Sequence, residues 1–293
     1  MVAQYDRKAL EFLFQMPGTD GAFKGSILDY FRALGRRKPM LLLCFAPKAA
    51  GTFFRQAAIE TVGGFLFRVT HAQGGRDATP YLPTFLTCYL DPDTLPMITH
   101  IHMQALPANR NFVEAFGLKP VIMIRNLPDM LASYWDMLDV DPVARADGLN
   151  CLIPSDFVSK SREAKADFMI DIVAPWYASY FATWKDFADA APETVCVLRY
   201  DAFSADPAAT VHQALSHAGF AVTRAQCDAA VEKVWGERNT YRFNKGSSGR
   251  GSEYFSAEHI ARLARQLSQY KQLEPWMHEL LGDAAAEKIR LAS

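Results

Sequence analysis

The sequence has little cysteine and no long apolar or basic run, and each of these absences excludes a class of protein. Its 293 residues include five cysteines, with no C-x-x-C pair and no Cys/His spacing typical of a metal site. We therefore expect reduced cysteines and no bound metal. The longest apolar run, Met40 to Ala46, is too short to span a bilayer. The 31 Lys and Arg residues balance 32 Asp and Glu residues without a basic cluster, which argues against nucleic-acid and membrane-surface partners.

The chain also lacks internal repeats, low-complexity linkers and a recognisable targeting segment. Its first ten residues contain no apolar stretch of the signal-peptide kind, which predicts a cytoplasmic protein. Half of the residues are hydrophobic, enough for one large core. We expect a single domain over residues 1–293, with residues 1–38 as a helical lead-in.

Four short aliphatic segments predict strands that are buried on both faces. They are Met40 to Ala46, Pro96 to His102, Lys119 to Ile124 and Thr194 to Leu198. Helix-like segments separate them, so the pattern predicts an α/β domain with a parallel sheet of about four to five strands, flanked by helices. Ligands of such sheets bind at the carboxyl ends of the strands.

The first predicted strand runs directly into a turn and a helix, in the segment MLLLCFAPKAAGTFF. A strand, a tight turn and a helix N-terminus together form a P-loop-like anion site, most often for phosphate. The loop of nucleotide hydrolases places its lysine after the last glycine, as G-x-x-x-x-G-K-[ST]. Here Lys48 precedes Gly51, so the loop is not built like an ATP or GTP site.

Two further segments carry residues suited to binding phosphate. The third predicted strand ends in Arg125, and Ser133 follows eight residues later on a predicted helix. A guanidinium at the end of a strand suits bidentate phosphate binding. Near the C-terminus, RFNKGSSGRGSEYF combines small residues with Lys245 and Arg250, and predicts a loop that closes over an anion.

Together these segments resemble the sulfotransferases that use 3′-phosphoadenosine 5′-phosphosulfate (PAPS). The phosphosulfate loop of that family typically reads PKSGTTW, its 3′-phosphate motif is a strand-end arginine followed by a helical serine, and its C-terminal signature is RKGxxGxxxxxF. A tyrosine after the fourth core strand often contacts the adenine. The resemblance covers residues 40–255 and implies these cofactor-binding residues: Lys48, Ala49, Ala50, Gly51, Thr52, Phe53, Phe54, Arg125, Ser133, Tyr200, Lys245 and Gly246.

The sequence departs from the family pattern at three places. The loop has one more residue between lysine and glycine than the cytosolic phenol and steroid enzymes, so it resembles the bacterial-type and carbohydrate enzymes. Phe53 or Phe54 stands in place of the adenine-stacking tryptophan. Asn244 stands where an arginine is usual, and Arg242 or Arg250 is a candidate to compensate.

The resemblance implies in-line transfer of a sulfuryl group from PAPS to a hydroxyl or amine of a small acceptor, leaving PAP, without a metal. Lys48 would stabilise the leaving phosphate, and a histidine at the exit of the second strand would act as base. His102 is the preferred base from its separation to Arg125, and His100 is the alternative because Thr99-His100 matches the family motif KTHLP. Residues 70–95 and 139–163 are the expected acceptor segments, and residues 240–255 form the cofactor-closing loop.

Two other functions remain open from the sequence. A P-loop nucleotide kinase or ATPase would need a magnesium-binding hydroxyl after a G-K pair and an acid at a strand end, and the chain offers neither. A non-catalytic adenosine-phosphate-binding protein would be consistent with the Asn244 departure. Lys48 and the two histidines argue against it.

Overall fold

Among the described residues, five strands alternate with helices, which is the kind of order that the sequence predicts. The computed structural model describes residues 39–70, 79–89, 95–147, 151–237 and 249–282. The strands are β1 (Met40–Leu43), β2 (Phe65–Leu66), β3 (Met97–His100), β4 (Pro120–Ile124) and β5 (Cys196–Arg199). Four of them lie within the predicted strand segments, apart from one residue at the end of β5.

The helices cover both faces of the sheet. The first seven are α1 (Gly51–Val62), α2 (Leu82–Tyr89), α3 (Pro107–Ala115), α4 (Leu127–Val140), α5 (Pro142–Asp147), α6 (Arg162–Phe168) and α7 (Ala174–Ala190). The remaining six are α8 (Tyr200–Ala205), α9 (Pro207–His217), α10 (Arg224–Gly236), α11 (Gly251–Tyr254), α12 (Ala257–Ser268) and α13 (Met277–Leu281).

All strand pairs are parallel, in the spatial order β2-β3-β1-β4-β5. The predicted α/β fold is therefore confirmed. The central strand β1 pairs with β3 on one side and β4 on the other, and all four of its residues are buried. This order places the exits of β1, β3 and β4 side by side at the carboxyl edge of the sheet.

Local sequence explains how the chain turns at this edge. Asn126 caps α4 by accepting a hydrogen bond from the backbone N–H of Asp129, and Pro128 occupies the first turn, where it costs no helical hydrogen bond. Between α6 and α7 the chain continues as a π-helical segment, Met169–Val173, and Pro175 follows in the first turn of α7. A wide helical turn therefore comes directly before the proline.

The core lies between the sheet and α1, α4 and α7, and its largest buried side chains are aromatic. Within the described ranges, no helix has both the length and the apolar character needed to cross a membrane. Residues 1–38, part of the predicted acceptor segment 70–95, and Asn244, Lys245 and Gly246 lie outside the described residues.

Candidate active site

The loop after β1 adopts a strained conformation of the kind that forms anion-binding sites. Lys48 has φ 67° and Ala50 has φ 61°, both in the left-handed region that non-glycine residues rarely adopt. Alternation with left-handed residues turns successive N–H groups into an anion-binding concavity. Ala50 precedes α1 and offers no side-chain cap, so the positive helix N-terminus faces the same place.

Lys48 extends from this loop toward α4. Its Nζ lies 3.7 Å from the Sδ of Met137, and the side chain is half-buried. A thioether is a weak acceptor, so this contact positions the ammonium group without neutralising its charge. The loop therefore combines backbone N–H groups with a directed cation.

The two histidines at the exit of β3 contact different parts of the same loop. A Cβ added at Gly51 would lie only 2.5 Å from Nε2 of His100, so the imidazole occupies the space that the glycine leaves at the N-terminus of α1. His102 is buried, and its Nδ1 lies 2.5 Å from the carbonyl oxygen of Phe45. The two rings meet edge to face, with centroids 4.9 Å apart.

The hydrogen bond to Phe45 assigns the tautomer of His102. A carbonyl can only accept, so Nδ1 carries the proton in this geometry and the lone pair lies on Nε2. The structure thus brings both predicted histidines to the loop, with His100 in contact with its glycine.

Arg125 leaves β4 toward the same loop. Its Nη1 donates to the carbonyl oxygen of Lys48 at 2.6 Å, and its guanidinium carbon lies 4.0 Å from the centre of the Tyr200 ring. Its Nε is buried and has no hydrogen-bond partner among the described residues. Burial lowers the pKa of Arg125, although Tyr200 and Asp129 oppose the shift. A desolvated guanidinium with an unused donor is suited to receive an anion.

The first turns of α4 hold the end of the predicted closing loop. The buried carboxylate of Asp129 accepts hydrogen bonds from the N–H groups of Gly249 and Gly251, at 2.8 and 2.7 Å. A Cβ at Gly251 would lie 2.8 Å from the backbone carbon of Pro128, so only glycine fits there. Ser133 is buried one turn further along, on the helical face of Asp129.

Arg250, one of the two candidates to replace the arginine missing at Asn244, turns toward α4. Its Nη2 donates to Oδ2 of Asp136 at 2.6 Å, and Tyr254 donates its hydroxyl to the other oxygen of that carboxylate. The hydrogen bond to Asp136 raises the pKa of Arg250. This arginine therefore fastens α11 to α4, and the other candidate, Arg242, lies outside the described residues.

Both phenylalanines that follow the loop are buried, and one of them contacts an exposed tryptophan. Phe54 is fully buried against Phe45 and Phe203. Phe53 contacts Trp235 edge to face, with centroids 5.6 Å apart, and Trp235 is 46% exposed. Sequence reasoning missed Trp235, because nothing in the sequence of α10 distinguishes it from a packing residue.

A cavity of about 320 Å³ lies beside α4, lined by Trp135, Asp136, Asp139, Arg162, Lys165, Glu253 and Tyr254. Two of these residues belong to the predicted acceptor segment 139–163. Trp135 and Asp139 are one turn apart and lie on a different face of α4 from Ser133 and Met137. The cavity is therefore a polar side pocket and not the space in front of Lys48.

Two solved structures share this arrangement of elements. One is mouse sulfotransferase SULT7A1 complexed with PAP, with a TM-score of 0.58 and 13% sequence identity over 91% of this chain and 92% of that one. The chain has the sulfotransferase fold. A second match is retinol dehydratase in complex with androsterone and the inactive cofactor PAP, with a TM-score of 0.50 and 13% identity over 85% of each chain. No protein-family model and no curated protein sequence matches this chain.

Proposed function

We propose that this chain is a sulfotransferase that moves a sulfuryl group from PAPS to a hydroxyl or amine of a small acceptor. The observation that supports this most is the meeting of Lys48, the two histidines and Arg125 at the loop after β1. Two proteins that share the sulfotransferase fold are known as complexes with PAP.

The residues at this edge of the sheet are suited to bind the phosphate groups and the adenine of PAPS. When bound, PAPS would supply the sulfuryl group, and its phosphate would be the leaving group. The N–H groups of residues 50–53 and the ammonium of Lys48 would bind the 5′-phosphosulfate and stabilise the charge that develops on its phosphate. Arg125 and Ser133 would bind the 3′-phosphate. Phe53 and Trp235 would contact the adenine, with Tyr200 behind Arg125.

We propose His100 as the base that accepts the proton from the attacking hydroxyl. Its contact with Gly51 supports this role, because the sulfuryl group would sit in front of the N-terminus of α1. His102 is more deeply buried, and its hydrogen bond to Phe45 supports a role in holding the loop. The geometry thus favours His100 as the base, whereas the sequence spacing favoured His102.

A turnover assay tests the proposed function. The protein is incubated with PAPS and a panel of small hydroxyl and amine acceptors, and mass spectrometry detects products heavier by one sulfuryl group. We expect such products without added metal, together with release of PAP. Tight PAP binding without turnover on the panel would indicate a binding protein, and magnesium-dependent ATP hydrolysis would indicate the kinase or ATPase alternative.

Asparagine substitutions separate the two histidines. An asparagine at position 102 keeps a donor near the place of Nδ1 but cannot accept a proton, so His102→Asn should retain most of the turnover. His100→Asn should lower kcat by about 100-fold or more while PAP binding is kept. His212→Asn, remote on α9, is the matched control. The opposite pattern would make His102 the base.

A further inference from the structure

Five consecutive backbone carbonyls, from Cys44 to Lys48, each accept a hydrogen bond, and four of the donors are side chains from distant parts of the chain. In order along the loop, the donors are the Tyr180 hydroxyl, Nδ1 of His102 at 2.5 Å, the N–H of Ala49 at 3.2 Å, the Tyr177 hydroxyl at 3.2 Å and Nη1 of Arg125 at 2.6 Å. The loop is therefore held from α7, from the exit of β3 and from the exit of β4.

These hydrogen bonds act on a backbone that would not hold its shape alone. Non-glycine residues in the left-handed region cost about 1 kcal/mol or more each, and they persist only where the surrounding structure fixes them. Lys48 and Ala50 are two such residues in a four-residue turn. With four of the five carbonyls held from outside the loop, the N–H groups that follow Ala49 would be kept in place for the anion.

Two of the four side chains come from one face of one helix. Tyr177 and Tyr180 are fully buried and lie three residues apart on α7, where their hydroxyls donate to the carbonyl oxygens of Pro47 and Cys44. Burial raises the pKa of Tyr180 well above its usual value, so its hydroxyl stays protonated and remains a donor. No part of the sequence resemblance involves these tyrosines.

We infer that Tyr177, with Tyr180 next to it, is a positioning residue of the sulfuryl-transfer site. The two hydroxyls hold the phosphosulfate loop in the conformation that presents its N–H groups and Lys48 to the 5′-phosphosulfate. Both tyrosines are fully buried behind the loop, so the effect would pass through the loop. The inference rests on the proposed function, since it assigns the loop to the 5′ end of PAPS.

Phenylalanine substitutions remove each hydroxyl and leave the ring in place. In Tyr177→Phe we expect PAP to bind about five- to tenfold more weakly, the effect of one lost hydrogen bond to a buried carbonyl. Adenosine 3′-phosphate, which has no 5′-phosphate, should bind as it does to the wild type. The value of kcat/KM for PAPS should fall at least as far as PAP affinity. Tyr180→Phe should repeat the pattern.

Calorimetric titration measures how much each substitution weakens the binding of PAP and of adenosine 3′-phosphate, and the ratio of these two effects is decisive. The matched control is Tyr270→Phe, on a half-buried tyrosine near the C-terminal helices. Equal weakening of both nucleotides in Tyr177→Phe would indicate a general structural role and overturn the inference. Unchanged binding of both in Tyr177→Phe and Tyr180→Phe would overturn it too. Failure of the wild-type protein to bind PAP would overturn the proposed function together with the inference.

Discussion

The two ends of the candidate cofactor site are held in different ways. At the loop after β1, a strained backbone has its carbonyls bound by side chains from three other elements. At the start of α4, a regular capped helix uses one carboxylate, Asp129, to hold the N–H groups of Gly249 and Gly251. The first end depends on side chains from several elements, and the second depends on one carboxylate that a locally capped helix presents to a distant segment. The same kind of substitution should therefore have different effects at each end.

The largest effect is expected from Gly51→Ala. The new Cβ would overlap the imidazole of His100, so the ring must leave the N-terminus of α1. Gly51 does not have a positive φ, so alanine adds no backbone strain there. We expect turnover to fall by about 100-fold or more, the effect of losing a general base, while the melting temperature changes little. Steady-state kinetics and thermal unfolding measure the two quantities, and near-normal turnover would refute the role of this contact.

A smaller effect is expected from Asp129→Asn at the other end of the site. An amide keeps one acceptor oxygen but turns an NH₂ group toward the second N–H, so one of the two hydrogen bonds to residues 249–251 is lost. A hydrogen bond to a charged group contributes about 1.5–3 kcal/mol, so PAP affinity should fall by about tenfold or more. Adenosine 5′-phosphate should be less affected, because it has no 3′-phosphate.

The control for this second prediction is Asp228→Asn, which breaks an exposed ion pair with Arg224 on α10 and should have little effect. Gly251→Ala should weaken the same contact between residues 249–251 and α4, because its Cβ would clash with the backbone of Pro128. Equal losses for the two adenine nucleotides in both variants would contradict a role confined to the 3′ end.

The smallest effect is expected far from both ends, at His217. Burial lowers the pKa of this histidine, although its hydrogen bond to the carbonyl of Thr194 opposes the shift. The unfolded chain then binds more protons, so the stability that the neutral ring contributes is lost as the pH falls below about 6.5. Chemical denaturation between pH 7 and pH 5 should show a weaker pH dependence in His217→Gln, with unchanged PAP binding at pH 7. An identical pH dependence would contradict this.

Sequence patterns predicted the elements that depend on local chemistry. Strands β1, β3, β4 and β5 were visible as aliphatic segments, and α1 was predicted from the turn that follows the first strand. Strand β2 has only two residues, Phe65–Leu66, and pairs at the edge of the sheet. So short a strand leaves no periodicity to detect.

The candidate site also contains residues that sequence patterns reveal and residues that they do not. Lys48, Arg125 and both histidines follow strands, and a parallel sheet brings strand exits together. The tyrosines of α7 could not be assigned, because their hydroxyls meet carbonyls 130 and 136 residues away in the chain. In the sequence they stand among other aromatic residues, Trp176, Phe181 and Trp184, and nothing there distinguishes them from packing residues. The position of Asp129 in a first helical turn was predictable, because an acid after Pro128 is typical of a helix start. Its partners were not predictable, because they are about 120 residues away in the chain.

The position of Arg125 has a thermodynamic consequence. One guanidinium donates to the carbonyl of Lys48 at one end and lies close enough to Asp129 at the other end for that carboxylate to act on its pKa. Tertiary contacts already hold this group in place, so its ordering costs no binding free energy at either end. A nucleotide that carries only one of the two phosphates would use only part of this preorganised site. The preference for a nucleotide with both phosphates would therefore depend on both ends of the site.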